Sequence, residues 1–223
     1  MMNKERIGNL ADSLFAIVMT ILVLKINVPE LPAPSDSQIW QAVLALGPVL
    51  VAYVARFLAL STYWIAHHYM MSVIAENVNR TLTMLNIPFF MFIALVPFST
   101  HLLGLYPKSS AAISIYGLNV ILVGIALWFI RSYIIRSTQI KTNPDFKERD
   151  FRVGLIRTVL PIIGSALAIA ASFWNPTVSI LIFIFAILLN LVPSSLHLIL
   201  RLFWEEERRA FKIDYARRDT DHD

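Results

Sequence analysis

The sequence predicts an all-α membrane protein with six transmembrane helices per subunit and both termini on the cytoplasmic side. Three observations carry that prediction. Of the 223 residues, 57% are hydrophobic and only 15% are charged, whereas soluble domains carry about 25% charged residues. A soluble domain of this size leaves much of its chain at a wet boundary and has no use for so much apolar surface. Six stretches are also apolar over roughly the 17–25 residues that a bilayer crossing needs. Finally, the basic residues are distributed unevenly among the segments that separate those stretches.

The first stretch runs from Leu10 to Val28 and stops at Pro29. The second runs from Ile39 to Ile65. The third, Leu82 to Leu103, is closed by Gly104 and Pro107. The fourth is Ala111 to Ile135, the fifth Val153 to Phe173 and the sixth Thr177 to Phe203. Residues 1–204 therefore form one transmembrane domain, and residues 205–223 form a charged cytoplasmic tail. The segments PELPAPSDS (29–37), GLYPKSS (104–110) and FWNP (173–176) supply the turn residues between stretches.

Sixteen of the 19 lysines and arginines lie in the N-terminus, between the second and third stretches, from Arg131 to Arg157, and from Arg201 onward. The opposite side has only Lys25 and Lys108, and Arg56 lies inside a stretch. Basic residues stay cytoplasmic, which places both termini on that side and requires an even number of crossings. The net charge of +4 points to nucleic acid only until these positions are considered. The tail interleaves acids with bases and reads as a solvated helix end. A nucleic-acid surface would cluster Lys and Arg without acids. Lys4 and Arg6 before an apolar run resemble a signal peptide, but Asp12 within the run and the proline beside the cleavage-like site argue against one.

The chain has no cysteine, so disulfides, thiol catalysis and thiolate metal sites are excluded. There is no GxSxG, P-loop or GxGxxG, so the sequence does not indicate an enzyme. No cofactor is implied. The TVGYG filter, in which backbone carbonyls replace an ion's hydration shell, is also missing.

What remains informative is the polar residues at membrane depth. A carboxylate there costs on the order of 2.5–3.5 kcal/mol at a helix centre and usually faces a bundle interior or a water path. At 100° per residue, Thr20 lies about 60° from Ile17, Leu24 about 20° and Ser13 about 40°. These four residues form one narrow stripe on the first helix. A stripe of aliphatics with hydroxyls suits a pore wall and suits ordinary helix packing equally. Asp12 lies about 140° from Ile17 and points toward neighbouring helices, as a structural polar knot. Arg6 can pair with it or with another helix.

The second stretch carries Arg56, which at this depth needs a partner or an aqueous cavity. Trp64 near the boundary reads as an interface aromatic. His67 and His68 are adjacent, so their side chains diverge and cannot chelate a metal from one face. Hydrogen bonding to the first helix, or pH sensing, is the better reading for them. Pro88 and Pro97 interrupt the third stretch and free carbonyls that Asn86, Ser99, Thr100 and His101 can satisfy. Asn119 and Asn190 are candidates for interhelical hydrogen bonds.

The segment Arg6-Ile-Gly-Asn-Leu-Ala-Asp12, followed by an apolar helix, resembles the RxxxFSD helix of the transmembrane protein 175 family of potassium channels. The resemblance continues in Tyr63-Trp-Ile-Ala-His-His68, Leu95-Val-Pro-Phe-Ser-Thr100 and Tyr116, so it covers nearly the whole chain. Where the family has Phe-Ser-Asp, this chain has Leu10-Ala11-Asp12, so an aromatic and a hydroxyl are lost. The resemblance implies a homotetramer in the cell membrane whose first helices line a central pore. It places the constriction on Ile17, a polar ring on Thr20 and a further apolar ring on Leu24, with Ser13 on the lining. It implies that Arg6, Asp12, Trp64, His67, His68 and Arg56 form a structural or gating network. The partners it implies are other copies of the chain, lipid and potassium ions, with no nucleic acid. Two other readings of the residues stand beside this one. One is an ion- or proton-coupled secondary transporter using Arg56 and the histidines, although no internal repeat is evident. The other is a non-conducting membrane structural protein.

Overall fold

A computed structural model describes residues 4–24, 26, 30–142 and 148–191, with side chains described except at 148–157 and 191. The described residues are helical throughout, apart from turns and one isolated bridge between Ala75 and Thr142. The helices are α1 (Lys4–Val23), α2 (Asp36–Ala45), α3 (Gly47–His68), α4 (Arg80–Ala94), α5 (Val96–Leu105), α6 (Ser110–Arg136), α7 (Glu148–Ser172) and α8 (Pro176–Leu191). A π-helical turn, Tyr69–Ile74, extends α3.

Four helical segments are long and apolar enough to cross a membrane: Lys4–Val23, Gly47–Ile74, Arg80–Leu105 and Ser110–Arg136. Two shorter apolar helices, Thr158–Ser172 and Pro176–Asn190, follow. The end of the sixth stretch and the charged tail lie outside the described residues.

The second stretch differs from its prediction. Ile39 to Ile65 is not one helix: it breaks at Leu46, because Pro48 in the first turn of α3 has no amide hydrogen with which to continue α2. The spanning segment then runs nine residues beyond Ile65, to Ile74, since Tyr69-Met-Met-Ser-Val-Ile74 contains no helix breaker. Met70, Met71 and Ile74 are buried, so packing stabilises the extension. The first helix is also shifted. It begins at Lys4, Leu24 is a turn closed by Ile26 N–H donating to Val23 O, and Val28 is outside the described residues. Of the two prolines in the third stretch, Pro88 sits within a continuous α4, whereas Pro97 accompanies the break at Leu95.

Successive membrane-long segments run antiparallel. Lys4 Nζ donates to Ser72 O at 3.1 Å, which sets the start of α1 against the end of the α3 segment. Asn79 caps α4 through Leu82 N–H and also donates to Tyr133 OH at 2.7 Å, so the start of α4 meets the end of α6. Ser110 Oγ donates to Ser172 O at 2.7 Å, so the start of α6 meets the end of α7. One end of the bundle therefore gathers Lys4, Asn77, Asn79 and Lys141. There Asn77 clamps the strand-like crossing by donating to Gln139 O and accepting from Lys141 N–H at 2.6 Å.

In lipid, helices associate by close packing and hydrogen bonds because hydrocarbon is as apolar as a leucine. The tightest contact is α6 on α7. A β-carbon at Gly124 would lie 2.5 Å from Ile162 Cγ1, so only glycine permits that approach. Arg131, counted among the cytoplasmic-side cations, is 3% exposed within α6.

Candidate functional site

α1 has two unlike faces. Ile7, Ala11, Phe15, Val18 and Leu22 are buried, at the spacing of one helical face. Phe15 packs on Phe89 of α4, with ring centroids 6.1 Å apart. Phe89 stacks in turn on His67 of α3 at 5.0 Å and 5° between planes. About 140° around the helix, Leu10, Ser13, Ile17, Thr20 and Leu24 are exposed. Ile17 is 57% exposed and Leu24 74%, so neither is buried within the chain. The intervals along this seam alternate between three and four residues, the spacing by which parallel helices converge on a shared axis.

The seam's hydroxyls are tied to their own helix. Thr20 Oγ1 donates to Ile17 O and Ser13 Oγ donates to Asn9 O, both at 2.8 Å. Each hydroxyl proton is therefore turned back toward the backbone. The oxygen lone pairs are left facing outward, which is the polarity that a cation requires.

Asp12 is exposed, and its Oδ1 accepts from Trp64 Nε1 at 2.7 Å. The indole thus links α3 to α1 and is more than an interface aromatic. Its ring also lies 5.7 Å from that of His68. Arg6 is exposed in the first turns of α1, and the structure does not bring it to Asp12. His67 corrects its sequence reading: it is buried and shares a 2.6 Å hydrogen bond with Asn86 Oδ1 on α4, not with α1. Asn86 completes its own set by donating to Leu82 O. Ala11, where the family motif has serine, is buried and takes no part in the Asp12–Trp64 bond.

Arg56 stands apart from this group. It is half-buried on α3, with its guanidinium against Gly104 in the last turn of α5, where a β-carbon would lie 2.6 Å from Nη2. The C-terminal end of a helix favours a cation. Among the described residues, no three His, Cys, Asp or Glu side chains gather as a metal site requires.

A feature not found by sequence reasoning is the repair of the α4/α5 break. In the amide orientation that satisfies every neighbour, Asn119 Nδ2 donates to Phe92 O at 3.0 Å. Its Oδ1 accepts from Ser99 Oγ at 2.8 Å and from Val96 N–H at 3.3 Å. Phe92 O and Val96 N–H are the two groups that would pair in an unbroken helix, so the side chain bridges the gap that the break leaves. Thr100 Oγ1 donates to Val96 O at 2.8 Å and satisfies another carbonyl there. The sequence named Asn119 as a hydrogen-bonding candidate and Pro97 as a break, but nothing in it joined the two.

Comparison with known proteins gives a consistent set of likenesses. Residues 6–97 match the family described as endosomal/lysosomal potassium channel TMEM175. The chain is 30% identical to a Streptomyces collinus protein named as a potassium channel, over 77% of this chain and 84% of that protein. It is 26% identical to one from Chryseobacterium sp., also named as a potassium channel, over 87% of this chain and 95% of that one. Its fold is similar to the crystal structure of a lysosomal potassium-selective channel TMEM175 homologue from Chamaesiphon minutus, with a TM-score of 0.65 and 24% identity, covering 82% of this chain and 94% of the other.

Proposed function

The chain belongs to the TMEM175 family of potassium channels, and from that premise we propose that it is a potassium-permeable channel whose pore is walled by α1. Four copies surround an axis in the cell membrane, each crossing it six times with both termini inside. No cofactor is needed beyond the permeant ion.

The observation that carries this reading is the seam Leu10, Ser13, Ile17, Thr20 and Leu24. It is exposed on a helix whose opposite face is fixed by five buried side chains and by the Asp12–Trp64 bond. Around a four-fold axis, the Ile17 and Leu24 side chains form apolar rings and the four Thr20 hydroxyl oxygens form a polar belt between them. A narrow apolar ring strips part of an ion's water. That dehydration costs potassium less than the smaller, more strongly hydrated sodium. An apolar constriction also closes by dewetting when it narrows. The hydroxyl oxygens, with their protons held by backbone carbonyls, return part of the lost coordination.

The test is Ile17→Asn recorded in planar bilayers under opposed potassium and sodium gradients. A polar, wettable constriction raises conductance or lowers selectivity. Currents indistinguishable from those of the natural protein would count decisively against α1 as the wall.

A further inference from the structure

A small cavity lies where α3 faces α6, α7 and α8. Thr62 and Tyr63 of α3, Tyr116 of α6 and Ser165 of α7 line it, with apolar side chains that include Val120 and Phe183. A water-sized sphere finds about 30 Å³ of room there. One ordered water needs about 10–15 Å³ measured in this way, so the space suits one or two waters. It is too small for an acyl chain or a headgroup.

The hydroxyls at its wall have few partners of their own. Ser165 is 1% exposed, yet its hydroxyl has no hydrogen-bond partner among the described residues. A water-sized sphere still touches its Oγ, and the cavity is the free space that Ser165 borders. The hydroxyls of Tyr63 and Tyr116 likewise have no partner among the described residues, although Tyr116 is only 8% exposed. Thr62 differs, because its Oγ1 donates to Ala59 O at 2.7 Å. That bond fixes the proton and leaves the Oγ1 lone pairs free to accept. Donors and an acceptor from three helices thus border a space of water size. A buried hydroxyl left without a partner bears the full cost of its lost hydration, and no apolar occupant removes that cost.

We propose that this cavity binds a structural water that ties α3 to α6 and α7. The water accepts from the hydroxyls of Ser165 and Tyr116 and donates to Thr62 Oγ1 and the Tyr63 hydroxyl oxygen. A bridge through water is nearly as favourable as a direct hydrogen bond, and such bonds help to join helices in lipid. The effect extends to α1. Tyr63 is followed directly by Trp64, whose indole donates to Asp12, so the water helps to fix the segment of α3 that carries that bond. The site is separate from the seam of α1 and does not depend on the conduction reading.

The experiment is a structure of the full-length protein at a resolution that shows ordered water, determined for the natural chain and for Ser165→Val. The natural chain shows a discrete peak at about 2.7–3.2 Å from at least two of the Tyr63, Tyr116 and Ser165 hydroxyls. Valine removes a donor and brings a methyl into the space, so the peak is lost. A second measurement holds even if that variant fails to fold: unfolding in SDS micelles of Tyr116→Phe, Ser165→Ala and the double variant. Tyr116→Phe keeps the ring's edge contact with Phe183, 4.8 Å between centroids. Each single substitution raises the unfolding constant several-fold. The double variant is little worse than the weaker of the two, because either change already loses the shared water. Four results overturn the proposal: no peak in the natural chain, a direct bond between Tyr116 and Ser165, the elongated density of an acyl chain in the cavity, or single effects that simply multiply in the double variant.

Discussion

Replacing Asn119 by valine tests how the bundle tolerates a broken helix at membrane depth. Valine is close to asparagine in size but can neither donate nor accept. The substitution removes the donation to Phe92 O at 3.0 Å and the acceptance from Val96 N–H at 3.3 Å. Ser99 Oγ suffers less, because it can still donate to Val96 O at 3.1 Å. Val96 N–H is left unpaired among buried side chains, while Phe92 O keeps its bond from Leu95 N–H at 3.2 Å. One unpaired buried group costs about 1–3 kcal/mol. Side-chain hydrogen bonds in membrane bundles average only about 0.6 kcal/mol because the unfolded chain finds other partners. A loss of about 1–2 kcal/mol is therefore expected. The assay is reversible unfolding in mixed micelles with increasing SDS, followed by tryptophan fluorescence. Pro97→Ala supplies the control. With an amide hydrogen at position 97, the helix can close across Leu95 and Val96 N–H can return to Phe92 O. The cost of Asn119→Val in that background should fall by half or more. A loss below about 0.5 kcal/mol, the scale on which distant sites simply add, or a cost unchanged by Pro97→Ala, refutes the assignment of Asn119 to the break.

The packing makes three further substitutions informative. Trp64→Phe removes the 2.7 Å bond to Asp12 and should lower stability by about 1–2 kcal/mol. Asp12→Ala should behave alike, reducing assembled protein on size-exclusion after heating while leaving potassium selectivity intact. A well-assembled but unselective Asp12→Ala protein would reverse that view. Gly124→Ala places a methyl 2.5 Å from Ile162 Cγ1 and should cost about 1–3 kcal/mol through forced separation of α6 and α7. Unaltered unfolding in SDS would show that the two helices do not meet this closely.

Much of the helical layout was legible because each crossing demands a long apolar run and each turn carries Pro, Gly or Asn. Ala111 to Ile135 matches α6 to within one residue at each end. The misreadings share a cause: hydropathy sees apolar character and does not see where the backbone bends. Gly47-Pro48 sat inside an apolar run and was absorbed into one stretch, although the pair is a helix breaker. Tyr69–Ile74 was cut off at the histidines, although nothing there stops a helix. Arg131 was counted with the loop charges although it lies inside the fourth stretch, because a charge near a run's end looks exposed; packing in fact buries it. At the seam, turn-counting alone grouped Ser13, Ile17, Thr20 and Leu24, because angular position depends only on helical period. The partners of His67 and Asn119 were beyond reach, since both reach side chains or backbone on another helix, and only the three-dimensional packing decides which helix is adjacent.

The account's central claim is that the α1 seam faces the ion path, and cysteine accessibility tests it most directly, because the chain has no cysteine of its own. Ile17→Cys, Thr20→Cys and, on the buried face, Val18→Cys are each recorded in bilayers before and after silver ions are added. The account predicts that silver abolishes current through the Ile17 and Thr20 variants and spares the Val18 variant. Undiminished current at both seam positions contradicts it.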